Sequence, residues 1–127
     1  MPSSADLPVA DRWFETTDAG NGVTLITEPH LHPYIQSNAW LVRGGERDLL
    51  VDAGNGLTSL RAHLPELFDD RELVAVVTHG HADHMGGLHE FAERVCHRLE
   101  AGDVGHPPIS SLLDADRYPV EEREAAI

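Results

Sequence analysis

The residues best placed to do chemistry crowd into one stretch, Thr78-His79-Gly80-His81-Ala82-Asp83-His84-Met85-Gly86-Gly87, where three histidines and an aspartate fall within six positions. Alternate histidines on an extended turn can direct two imidazoles at one ion, and Asp83 with His84 can then face a second ion beside it. Imidazole and carboxylate are borderline donors that suit zinc, manganese or iron. With this chain's His and Asp content, chance alone would produce the spacing His-x-His-x-Asp-His in about 0.4% of shuffled sequences. The cluster therefore reads as a site rather than as a by-product of composition.

Such a site needs elements to hold it. The apolar run 73–77 reads as a buried strand, which puts the cluster at a strand's carboxyl end, where open α/β sheets place their chemistry. A second strand over 48–52 ends on Asp52. A carboxylate there costs several kcal/mol unless it is hydrogen-bonded or paired, so Asp52 is expected to be engaged, with capping of the turn 53–56 as the alternative role. Leu57, Leu60, Leu64 and Phe68 share helical spacing behind a potential cap at Thr58. They predict a helix over 58–68 that Pro65 ends or kinks, completing a βαβ crossover. Residues 86–92 read as a short helix whose N-terminus faces the cluster and could hold an anion, with Gly86 and Gly87 permitting close approach and His89 at the surface or behind the ligands.

Upstream, Trp13-Phe14 and 23–26 predict two short strands around the turn 18–22. Residues 38–42 predict another strand, joined to 48–52 through Arg43-Gly44-Gly45-Glu46-Arg47, whose glycines are expected to supply positive φ. Pro29 and Pro33 forbid regular structure between them, which leaves His30 and His32 on a loop as candidates for the rim of the metal pocket. Cys96 is the only cysteine, so no internal disulfide forms, and within Arg94-Val95-Cys96-His97 it reads as a small buried strand residue rather than a ligand.

At 127 residues and 41% hydrophobic content, the chain is expected to form a single domain over 1–127 with a core of its own. Its net charge is -13, and protonating all nine histidines would bring it only to -13 + 9 = -4. That argues against nucleic acid as a partner, since tracking phosphates needs a basic groove. No apolar run approaches the length of a membrane span, and residues 1–6 lack the basic start and apolar core of a signal peptide. The expectation is a cytoplasmic protein with a small-molecule substrate and neither membrane nor nucleic acid as partner.

The histidine motif with its trailing glycines, together with Asn38-Ala39-Trp40-Leu41-Val42 and Leu49-Leu50-Val51-Asp52-Ala53-Gly54, resembles the metallo-β-lactamase superfamily over about residues 23–100. The resemblance implies an α/β fold, the αββα sandwich, of which this chain would hold only the N-terminal ββ/βαβ half, a truncated domain. It implies metal ligation by His79, His81, Asp83 and His84, the first pair on one ion and the second on another, most naturally zinc, with iron or manganese as alternatives. Asp52 would support the metal loop from behind the ligands, and Asp83 would also act catalytically by orienting the attacking hydroxide. A complete site further needs a third histidine, a bridging aspartate and a fourth histidine from the second half. His97 and His106 fall too close to the motif to match them. The implied function is hydrolysis of an ester, thioester, amide or lactam, in the manner of the glyoxalase II and general hydrolase branches. An iron oxidoreductase of the same fold, or a catalytically silent half-domain serving as an interaction module, are the alternatives. The missing half would leave one sheet face uncovered, so self-association is expected.

Overall fold

The structure, a computed structural model, describes residues 9–107; the reading of residues 1–6 lies outside them. Among the described residues, six strands form one mixed sheet in simple chain order. Strands β1 (Glu15–Gly20), β2 (Val23–Thr27), β3 (Ala39–Val42) and β4 (Arg47–Val51) pair antiparallel, while β5 (Glu72–Val77) and β6 (Glu93–Cys96) add in parallel. The first hairpin turns through Gly20, Asn21 and Gly22, all at positive φ, as a tight reversal requires. Trp13 and Phe14 precede β1 instead of lying in it, and Phe14 drops into the core.

Neither Gly44 nor Gly45 has positive φ, contrary to the expectation for the β3–β4 turn. Gly44 is needed for space: a Cβ there would lie 2.0 Å from the Arg47 carbonyl oxygen. The turn is held instead by Asp48, buried in β4, whose carboxylate accepts from Gly44 N, Arg43 Nη1 and Arg71 Nε. Burial pushes the Asp48 carboxyl up, but the hydrogen bonds from Arg71, Gly44 and Arg43 outweigh it and hold the group below its ordinary value. One buried charge thus ties the end of β3, the start of β4 and the approach to β5.

The predicted helix over 58–68 contracts to α1 (Leu60–His63), capped by Ser59 rather than Thr58, with Ser59 Oγ accepting from Ala62 N at 3.1 Å. Leu64 precedes Pro65, whose ring disfavours helical φ/ψ at the residue before it, so the helix stops there. A further turn still brings Leu64 and Phe68 into the core beside Leu60, while Leu57 stays exposed. The helix expected over 86–92 shortens to a 3-10 turn, Leu88–Glu90, and an unexpected helical turn, α2 (Ala82–Met85), forms ahead of it within the motif itself. The short helix α3 (Ala101–Gly105) comes after β6.

The two sheet faces differ. Ile26, Ala39, Leu41, Leu50, Ala75 and Val77 pack against Leu60, Leu64, Phe68, Leu88 and Phe91 to form the core. The opposite face carries two apolar rows in register, Leu25–Trp40–Val51–Val76–Val95 and Val23–Val42–Leu49–Val74, none of them buried. Leu49 is 37% exposed and Val95 49%. Among the described residues no helix is long and apolar enough to cross a membrane.

Candidate metal centre

Because β4 and β5 run parallel, their carboxyl ends deliver Asp52 and the motif side by side, with Asp52 N bonded to Val76 O at 2.8 Å. Asp52 is 6% exposed and sits at φ 64, a left-handed conformation that a short polar side chain tolerates. Its carboxylate accepts from Thr78 N (2.7 Å), from Thr78 Oγ1 and from His84 Nδ1 (2.7 Å). Asp52 is therefore engaged with the motif, and its side chain does not serve the turn 53–56.

With both rings neutral, the hydrogen-bond partners assign the imidazole tautomers. Asp52 accepts the Nδ1–H of His84, which leaves the His84 lone pair on Nε2. The Thr78 hydroxyl gives its single proton to Asp52, so its oxygen accepts the Nδ1–H of His79, 2.9 Å away, and the His79 lone pair also lies on Nε2. His84 Nε2 faces Asp83 Oδ2 at 3.4 Å. Two electron-pair donors that close call for a proton or a cation between them. Two ligands at zinc distances of roughly 2.0–2.1 Å in a tetrahedral shell stand about 3.3 Å apart, so this pair fits a shared ion. The rings of His79 and His84 lie 4.1 Å apart and those of His79 and His81 4.6 Å apart, so the three imidazoles form one group. Among the described residues no set of three or more His, Cys, Asp or Glu side chains is already closed around one point. The donors fit zinc in chemistry and in this one pair.

The backbone around the ligands is interlocked with the loop after Asp52. Ala53 N donates to His84 O, Gly86 N to Gly54 O and Gly87 N to Ala53 O. A Cβ at Gly86 would fall 2.1 Å from the Asn55 carbonyl and one at Gly87 2.5 Å from the Ala53 oxygen, so both motif glycines serve close approach, as expected. Three residues act around the motif in ways not foreseen from sequence. Glu28, 2% exposed, accepts from Asn55 N and from Trp13 Nε1; Ser37 Oγ donates to the Asp83 carbonyl; Glu100 Oε2 accepts from Gly80 N.

The other histidines are used locally. His30 bonds the Arg12 carbonyl and packs on Trp13, and His32 caps the 3-10 turn Pro33–Ile35. His89 is exposed and bonds Gly86 O, His97 Nδ1 accepts from Leu99 N, and His106 closes α3 through its backbone. Cys96 is half-buried at the end of β6. It lines a cavity of about 560 Å³ with Met85, Leu88, Arg94, Val95 and Val104; none of the four candidate ligands lines that cavity.

This chain belongs to the metallo-beta-lactamase superfamily, whose sequence signature matches residues 32–110. It is 40% identical over 114 residues to the acyl-coenzyme A thioesterase MBLAC2 of Gallus gallus, covering 84% of this chain and 38% of that protein. The Homo sapiens counterpart is 39% identical over 100 residues, covering 70% and 36%. An atrochrysone carboxyl ACP thioesterase of Aspergillus chevalieri is 29% identical over 90 residues, covering 67% and 29%. The chain thus spans about a third of the length of these curated relatives. Among solved structures, a metallo-beta-lactamase from Pontibacter korlensis superimposes with a TM-score of 0.60 at 23% identity, covering 74% of this chain and 48% of that one. The mono-zinc form of FIM-1 from Pseudomonas aeruginosa gives 0.57 at 23%, covering 72% and 45%. The six-stranded mixed sheet is the N-terminal half of that fold.

Proposed function

We propose that this chain supplies the first metal-binding half of a zinc-dependent hydrolase acting on a small acyl thioester. The observation that carries the site is the His84 Nε2–Asp83 Oδ2 pair at 3.4 Å, with the far nitrogen of His84 already committed to Asp52. The thioester class is supported by relatives named as thioesterases at 40% and 29% identity. His79 and His81 would hold one ion and Asp83 with His84 the other. When bound, zinc supplies a Lewis acid and a water acidified toward neutrality, the chemistry that thioester hydrolysis needs. Asp52 keeps the proton of His84 on Nδ1 and so keeps Nε2 a ligand. Thr78 does the same for His79. Asp83 is the catalytic residue of the proposal, because its carboxylate can also accept a hydrogen bond from the attacking water and aim it at the acyl carbon.

Catalytic zinc sites use three protein ligands and a water, and His79 with His81 gives the first ion only two. The 127-residue chain alone is therefore expected to release thiol from an acyl-coenzyme A very slowly. A chimera joining it to the remaining portion of the Gallus gallus relative is expected to turn over, and Asp83→Asn is expected to abolish that turnover. Equal rates with and without the added portion, or an active Asp83→Asn chimera, would contradict the proposal.

A further inference from the structure

Glu28 is a buried carboxylate that nothing in the proposed chemistry uses. It directly follows β2 and is 2% exposed, and its side-chain hydrogen-bond donors among the described residues are all neutral: Trp13 Nε1 on Oε2 (2.9 Å), and Asn55 N (2.8 Å) and Asn55 Nδ2 (3.3 Å) on Oε1. A charge sequestered this way is expensive unless the groups it holds must be held. What it holds is the loop behind the candidate ligands. Oε1 sits where a Gly54 side chain would be, 2.5 Å from an ideal Cβ, so the carboxylate fits over that glycine, which is itself at φ 69.

From Asn55 the contacts lead directly to the motif. The Asn55 carbonyl lies against Gly86, Gly54 O accepts from Gly86 N, and Ala53 N donates to His84 O. Asn55 Nδ2 also donates to Ile35 O, so the loop that begins at Glu28 is fastened again before Ser37 reaches the Asp83 carbonyl. Asp52, which orients the His84 ring, is three residues from Asn55 in the same loop. These contacts join Asn55 to both the backbone and the ring of His84.

We propose that Glu28 is a positioning residue for His84: its carboxylate fixes the 52–56 loop, and through it the direction in which Nε2 points. This rests on the metal-site reading above, and it predicts a specific difference from a buried carboxylate that only stabilises the fold. Glu28→Gln keeps the size but turns one acceptor into a donor facing Trp13 or Asn55. Asp48→Asn is the comparison, since Asp48 is equally buried but is bound by Arg43, Arg71 and Gly44, away from the motif.

The test uses the full 127-residue chain and three readouts: the zinc dissociation constant by chelator competition, urea denaturation, and NMR of the His84 ring nitrogens in metal-free protein. Both variants are expected to lose stability. Glu28→Gln alone is expected to weaken zinc about 10-fold or more and to move the His84 resonances. If Glu28→Gln does not fold, Asn55→Ala, which removes only the Nδ2 bonds, is expected to change zinc affinity and His84 in the same direction. Unchanged zinc affinity and unmoved His84 resonances in the variant would overturn the proposal, as would an equal zinc loss in Asp48→Asn. A wild-type chain that binds no zinc would overturn the metal reading instead, and the His84 resonances would still decide the role of Glu28.

Discussion

Asp52 carries two burdens at one position, a buried charge and a left-handed backbone, and both are met by what it touches. Asp52→Ala strips the acceptor from Thr78 and His84 and places a Cβ-bearing residue with no polar side chain at φ 64. The expected result is a stability loss of about 2–3 kcal/mol in urea denaturation and at least about 10-fold weaker zinc binding. Asp52→Asn tolerates the same φ, so most of its penalty should fall on zinc; a zinc affinity unchanged in both variants would reduce Asp52 to a turn residue. Asp52 was legible in the sequence because a carboxylate ending an apolar strand must find partners. Glu28 ends a strand in the same way, yet its partners Trp13 and Asn55 lie 15 and 27 positions away, and no local spacing reveals them. His79, His81, Asp83 and His84 are adjacent in sequence, which is why their grouping could be read before any fold was known.

Strands were the readable elements. The apolar runs 38–42, 48–52 and 73–77 each became a strand within a residue of the expected limits, since burial on a sheet needs only the right side chains in a row. Helices were less so. Leu60, Leu64 and Phe68 reach the core as their spacing suggested, but Pro65 acts on the residue before it and leaves only four helical residues. The helix expected over 86–92 shrinks to the 3-10 turn Leu88–Glu90, because Gly86 and Gly87 are committed to the Asp52 loop by contacts that sequence does not display, and α2 forms ahead of it. Where β3, β4 and β5 begin or end, Asp48 does the joining. Its folded pKa is depressed, so the ionised form contributes stability above its unfolded value, near 3.8, and that contribution is lost as pH falls through the still lower folded value. Asp48→Asn is expected to cost about 2 kcal/mol at neutral pH, with the gap to wild type closing below pH 3.8. A gap independent of pH, measured by denaturation across that range, would mean that packing rather than charge holds this end of the sheet.

At the scale of the whole molecule, the described residues hold the candidate site at the end of the sheet and an apolar face on the side of the sheet away from the core. The two rows from Leu25 to Val95 and from Val23 to Val74 would lie against water, so we expect the chain to self-associate at micromolar concentration. Val95→Glu, at an exposed position on that face, should shift sedimentation toward monomer while leaving the fold intact; a wild-type chain that sediments as a monomer throughout would contradict this. The central claim is that residues 79–84 form a metal site in this chain, and it is tested most directly by zinc content measured by elemental analysis on folded, metal-loaded protein. His81→Ala and Asp83→Ala are each expected to lose most of the bound zinc, while His97→Ala and His106→Ala retain it. Equal loss across all four variants, or no zinc in the wild type, would contradict the account.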